Sequence, residues 1–486
     1  MNIPKQAFVL TISTIVLLYM TTLLGNFQFL GVPFSAISIV SDIQKDTAIN
    51  PFITNSIEQD TAIHTVAEIE NTNIQHTASL PNKIVWNAPS AQNTLPTSAP
   101  IVDTATFVNK IKDSLLIADF DVSAGSKFQK LFQKLAQTQQ GKKVRIAYFG
   151  DSMIEGDLVT QDLRKLLQQK FGGNGVGYVP ITSITSTFRN TIGHTFRNWT
   201  TYSFENRGGK THPLCPSGYA FVPTNGATVS YRASNYTGSF QHVKLYYGAT
   251  EKQMLHVAID GKKQDIEIEG KNSVNELDIP LPTNANNLNF SFNASTTNVY
   301  GTSFEGKASQ GGVWVDNYAF RGNSGLTLTQ VPEEIHKNYQ KLLNYDLIIL
   351  QYGVNVLSHN RRNYTWYQQD LSKVIQLLKR CYPEAAILIV GIADRGYRMN
   401  GTYQSEPDIP YLLAAQKNAA KLNAVGYWSL FENMGGQNSM VQWVNQRPAL
   451  ANKDYIHFTP AGASVVGKLV YNTLLKSYEQ VPKTVE

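Results

Sequence analysis

The sequence predicts an α/β fold. A doubly wound parallel sheet is split by an inserted all-β sandwich and preceded by an N-terminal transmembrane helix. Three observations predict it. Apolar runs alternate with amphipathic stretches over 107–187 and again over 311–480. Between them, 188–310 alternates apolar and polar residues in short runs, with no helical stretch of comparable strength. Ahead of both, Ala7–Leu24 carries no charge.

The elements follow in order. Met1–Gln6, with Lys5, reads as a cytoplasmic stub. Residues 7–25 read as an uncleaved signal anchor, because the apolar run is long and no clear small-x-small cleavage site follows. The bulk of the chain is then extracytoplasmic, and periplasmic in a Gram-negative cell. Residues 41–103 are rich in Thr, Asn, Ser, Gln and Ala without apolar periodicity, the composition of a flexible tether.

Order resumes near Phe107. Ser126–Gln137 places Phe128, Leu131, Phe132, Leu135 and Ala136 on one helical face. Val144–Phe149 is a buried strand, and a helix carries Val159, Leu163, Leu166 and Leu167. The glycines of Phe171–Gly177 follow that helix rather than open one, so they stop it and do not form a phosphate loop. Within 188–310, Asp260-Gly261 separates two alternating runs and signals a hairpin. Beyond it, Gly312–Phe320, Leu347–Leu350 and Ala386–Ile392 read as strands. Helices run through Leu371–Leu378, over Tyr411–Asn423 and after Pro460. Strands and helices in alternation give a parallel sheet covered on both faces.

Composition removes some classes of function. The 42 basic and 36 acidic residues leave a net charge of +6 with no long Lys/Arg block, so nucleic-acid binding is not indicated. Two cysteines, Cys215 and Cys381, are too few for a thiolate metal site, and no metal or organic cofactor is expected. They form either a disulfide or two buried thiols.

Four segments sit where predicted strands end, and such ends share one edge of a parallel sheet. The first is Gly150-Asp151-Ser152, and the second is Arg321–Gly325. Tyr352–Asn355 is the third, and Asp454–His457 is the fourth. Ser152 is a nucleophile if a base takes its proton; otherwise it is an N-cap. His457 is the expected base, and Asp454 lies within one turn to orient it. The Ser152 and Gly325 N–H groups and the Asn355 amide would form an oxyanion site. His359 competes as base but lacks a carboxylate adjacent in sequence. Asp394 and Arg395 follow a strand end and are candidates for substrate binding.

This set resembles the SGNH (GDSL-type) hydrolase family, a flavodoxin-like three-layer fold. More narrowly, FGDSMIEGD, FGGNGVGYV, YGVN and DYIHFTPAG resemble the bacterial peptidoglycan O-acetylesterase branch. That branch is similar in carrying a β-sandwich between the first and second segments, often likened to a carbohydrate-binding module. Met153 and Val354 depart from the branch, which often has His and Thr-Asn there; neither change removes a reacting group. The resemblance implies a membrane-anchored serine esterase that removes O-acetyl groups from an envelope glycan, most plausibly peptidoglycan. Its alternatives are an O-acetyltransferase using the same acyl-serine and a non-catalytic glycan-binding protein.

Overall fold

The computed structural model of the chain describes residues 27–29, 32–34, 116–206, 212–236, 238–306 and 311–481. The expected anchor (7–25) and tether (41–103) lie outside the described residues. In the unit Met1–Pro96, β1 (Phe27–Phe29) and β2 (Val32–Phe34) form an antiparallel hairpin. Among the described residues, no helix is long and apolar enough to cross a membrane.

The unit Thr97–Glu486 is built on a six-stranded sheet. Its strands are β3 (Ala118–Asp119), β4 (Lys143–Gly150), β14 (Gly312–Ala319), β15 (Leu347–Gln351), β16 (Ala386–Gly391) and β19 (Gly426–Ser429). The order is β14-β4-β15-β16-β19-β3. The first five are parallel, and β3 pairs antiparallel with β19. The sheet is therefore mixed rather than wholly parallel. The edge strand has only two residues, too few to show a period in sequence.

Two groups of helices pack with this sheet. In the first, α1 (Lys127–Ala136), α2 (Thr160–Phe171) and α8 (Pro460–Glu479) meet at Tyr478, whose ring touches Phe132 and Phe171. In the second, α3 (Glu333–Leu343) and α5 (Ile409–Leu422) flank α4 (Thr365–Cys381). Two shorter helices follow, α6 (Leu430–Asn433) and α7 (Ser439–Asn445). Every residue of β15 and β16 is buried, as continuous apolar runs in a covered parallel sheet should be.

The inserted module has nine strands. They are β5 (Gly177–Val179), β6 (Gly193–Ser203), β7 (Tyr219–Arg232), β8 (Phe240–Tyr247), β9 (Thr250–Ile259), β10 (Lys262–Gly270), β11 (Asn275–Ala285), β12 (Asn287–Phe292) and β13 (Val299–Glu305). The sheet begins before residue 188, because β5 already pairs with β13. Asp260 and Gly261 both have positive φ and make the two-residue turn between β9 and β10.

The sandwich takes the form of one hydrogen-bonded sheet with a thin seam. Strands β6, β7, β12, β9 and β10 make one half, and β5, β13, β8 and β11 make the other. The halves join at a single pair, Val299 with Phe221. Val229, Tyr231 and Phe290 from one half share a core with Val243, Leu245 and Phe304 from the other.

A buried polar network ties the module to the central sheet. Arg145 on β4 donates to both carboxylate oxygens of Asp316 on β14, at 2.7 and 3.0 Å. It also donates to Ser303, at 2.8 Å, and to Glu305, both on β13. Burial pushes the Glu305 carboxyl up, but the Arg145 charge outweighs it and holds it at about 2. Cys215 and Cys381 are both buried free thiols, so the disulfide alternative falls.

Candidate active site

The site starts where β4 ends. Its apolar run stops at Gly150, where a Cβ would lie 2.9 Å from the Ile154 side chain and 3.1 Å from the Gln351 carbonyl. Only glycine lets the chain turn this tightly against β15. Asp151 Oδ1 then accepts the Met153 N–H at 3.0 Å and caps the short turn Ser152–Asp157. Capping is thus the work of Asp151, and the Ser152 hydroxyl is turned to a different partner.

That partner is His457. Ser152 Oγ lies 2.9 Å from His457 Nε2, and His457 Nδ1 lies 2.7 Å from Asp454 Oδ2. Asp454 Oδ1 also accepts the N–H groups of Ile456, at 2.9 Å, and His457, at 3.0 Å. The intervening Tyr455 has φ +59°, which folds the segment back on itself. Burial raises the Asp454 carboxyl, but the His457 hydrogen bond and the two backbone N–H groups outweigh it and hold it below the usual carboxylate range. An ionised carboxylate only accepts, so Nδ1 carries the proton and Nε2 is free to accept from the serine.

Gly325 and Asn355 are drawn to the same end of the sheet by a residue not foreseen, Asn323. The Gly325 N–H donates to Asn323 Oδ1 at 2.8 Å. Asn355 Nδ2 donates to the Asn323 carbonyl and to Asp151 Oδ2, each at 3.1 Å. Two of the three expected oxyanion donors are therefore engaged in this structure, Gly325 within its own loop and Asn355 by the loops of Asn323 and Asp151. Gly325 has φ +86°, and a Cβ there would meet the Tyr352 ring at 2.7 Å.

The two expected substrate contacts take other positions. Asp394 is fully buried, accepting the N–H of Met440 at 2.8 Å and that of Arg395 at 3.0 Å, so it presents no surface to a substrate. Arg395 donates to the carbonyls of Val354, at 3.0 Å, and Leu357, at 3.2 Å. It braces the Asn355 loop from below. His359 has a carboxylate after all: its Nδ1 lies 2.8 Å from Glu406 Oε1. Its ring stacks on Tyr397, not on the serine segment.

Two further groups border the serine. Glu155, in the Ser152–Asp157 turn, accepts from Arg321 Nη2 at 2.7 Å. Burial pushes the Glu155 carboxyl up against the opposing pull of Arg321. Asp151 is buried, and its carboxyl is pushed up to about 7 by that burial. Asp151, Arg321 and Asn323 all lie inside segments singled out in the sequence. Glu406 lies outside them, and nothing in its spacing points to His359.

Residues 291–465 match the GDSL-like lipase/acylhydrolase family model. That stretch holds Gly325, Asn355, Asp454 and His457, while Ser152 precedes it and reaches it through the 2.9 Å contact with His457. The chain carries a GDSL-type, SGNH hydrolase domain and is an esterase. A solved peptidoglycan O-acetylesterase is similar to this esterase over 75% of this chain and 99% of its own, with 22% identity and a TM-score of 0.62. That likeness is one of fold. Two other solved structures align more loosely. A salicylyl-acyltransferase from a tetracycline biosynthetic pathway covers 60% of this chain and 96% of its own, at 12% identity and a TM-score of 0.28. A family two carbohydrate esterase from Cellvibrio japonicus covers 63% and 98%, at 9% identity and a TM-score of 0.24. No curated protein sequence matches the SGNH esterase.

Proposed function

We propose that this esterase removes O-acetyl groups from a cell-envelope glycan, most plausibly peptidoglycan, through an acetyl-serine on Ser152. The observation that carries the reading is the unbroken line Ser152–His457–Asp454, at 2.9 and 2.7 Å. In the proposed reaction, Ser152 Oγ attacks the acetyl carbonyl as His457 Nε2 takes its proton. The tetrahedral intermediate collapses by breaking the bond to the sugar oxygen, and His457 returns the proton to that oxygen. Water, deprotonated by His457, then attacks the acetyl-serine; the bond to Ser152 Oγ breaks, His457 returns the proton to that oxygen, and acetate is released. Asp454 holds the imidazole in the required tautomer and balances its transient charge. The Ser152 N–H, the Gly325 N–H and the Asn355 amide stabilise the oxyanion, which displaces Asn323 from the latter two donors.

The glycan assignment draws on the fold shared with a peptidoglycan O-acetylesterase and on the inserted β module. An extracytoplasmic location is part of the same proposal, supported by the uncharged run Ala7–Leu24 behind Lys5. The test is acetate release from O-acetylated peptidoglycan by the unmodified chain and by Ser152→Ala. Loss of release by about a thousandfold or more in the variant is expected. Undiminished release would overturn the role of Ser152.

A further inference from the structure

The seam between the β module and the central sheet holds a cleft of about 280 Å³, and it begins in the same turn as the nucleophile. Its floor is Glu155, Gly156 and Asp157 of the Ser152–Asp157 turn. The floor is rigid. Asp157 is fully buried and bound by Arg164 at 2.7 and 2.9 Å, by Thr191 at 2.8 Å and by Arg189 at 3.3 Å. The walls come from the module side and carry a mixed lining. Thr182 and Thr201 hydroxyls meet at 3.0 Å. Phe196 and Ile184 stand 37% and 70% exposed beside them. Phe196 and Thr201 are an odd number of residues apart on β6, which would put them on opposite faces of a regular strand. A bulge between Arg197 and Trp199, with Asn198 at φ +62°, shifts the register, and both residues line the cleft.

From this lining we infer that the cleft is a binding subsite for a pyranose unit next to the sugar whose acetyl group is cleaved. The inference rests on the glycan reading above. A pyranose ring has an apolar C–H face and a polar rim. Phe196 and Ile184 offer surface to the first, and the Thr182 and Thr201 hydroxyls offer bonds to the second. Arg321 pairs with Glu155, which lines the cleft, and is 58% exposed, so its charge is open to a hydroxyl or carboxylate on that unit. The inserted module would thereby take part in selecting substrate instead of only tethering the enzyme to glycan.

The test compares Phe196→Ala and Thr201→Val with the unmodified chain on 4-nitrophenyl acetate and on O-acetylated peptidoglycan. Activity on the small ester is expected to stay within about twofold, which also reports intact folding. On the polymer, KM is expected to rise about tenfold for Phe196→Ala, with kcat little changed. An unchanged KM on the polymer would overturn the subsite. So would equal losses on both substrates, which mark a merely structural effect. A changed preference among nitrophenyl esters of longer acyl chains would make the cleft an acyl pocket and overturn the sugar assignment. No acetate release from the polymer by the unmodified chain would remove the glycan reading itself, and the ligand assigned to the cleft with it.

Discussion

Asp151 and Asn355, on loops after adjacent strands, share a hydrogen bond of 3.1 Å from the asparagine amide to the buried carboxylate. The other oxygen of Asp151 holds the Met153 N–H. One side chain therefore fixes both the turn that presents Ser152 and the loop that presents Asn355. Both oxygens must accept, which an aspartate can do and an asparagine cannot.

This arrangement predicts a pH effect on stability. The Asp151 carboxyl titrates at about 7 in the folded chain, pushed up by burial, against about 4 for an unfolded aspartate. Between those values the folded chain holds a proton that the unfolded chain has released. Stability from this group is therefore full below about pH 4 and is lost as pH rises through about 7. Asp151→Asn has no such proton to lose. It should start less stable at pH 4, because one donor loses its acceptor, and the gap in Tm should narrow toward pH 8. Thermal unfolding across that range checks it, and a constant gap would refute it.

The Arg145 cluster predicts a different effect, confined to stability. Its guanidinium is buried between Asp316, Glu305 and Ser303 and joins β4 to the module strand β13. Removing one member of a buried ion cluster leaves the other charges uncompensated, at a cost of about 3–5 kcal/mol. Arg145→Met should lower Tm by several degrees. Lys252→Met, which breaks an exposed pair with Glu267, should leave Tm unchanged. Differential scanning calorimetry of both variants distinguishes a buried network from surface pairing.

Much of this site was legible because Ser152, Gly325 and Asn355 follow strands, where apolar runs give way to Gly, Asn and Asp. His457 departs from that expectation: it follows the helix α7 with no strand between, and its Asp-x-x-His spacing is what marks it. What was not legible depends on contacts with no sequence period. Glu406 reaches His359 across 47 residues, and nothing local marks the pairing. The engaged state of the Gly325 N–H depends on the rotamer of Asn323. The module's start was placed late because β5 has three residues and finds its partner, β13, more than a hundred residues away. Asp394 and Arg395 follow a strand end as Ser152 and Asn355 do. Burial, which the sequence does not display, makes one of them internal and turns the other toward loop carbonyls.

The hairpin of β17 (Gly396–Met399) and β18 (Thr402–Ser405) gives the last prediction. Tyr397 pairs with Gln404 and Arg398 with Tyr403, so Tyr397 and Tyr403 lie on opposite faces. One face stacks Tyr397 on His359, near the Asn355 loop, with ring centroids 4.1 Å apart. The other stacks Tyr403 on Tyr455, between Asp454 and His457, at 3.7 Å and 8°. The Gly396 N–H also donates to the Tyr455 carbonyl at 2.8 Å. The hairpin thus bridges the loop of the proposed oxyanion donor and the loop of the proposed base. Tyr455 sits in a left-handed conformation that costs energy, so it needs such support. Tyr403→Ala removes the stacking and should lower kcat on a small acetyl ester about tenfold, since small misplacements of a base are costly. Tyr403→Phe keeps the ring and should retain activity. If both variants lost activity equally, the hydroxyl rather than the stack would be holding the loop. If neither did, the hairpin would have no part in positioning His457.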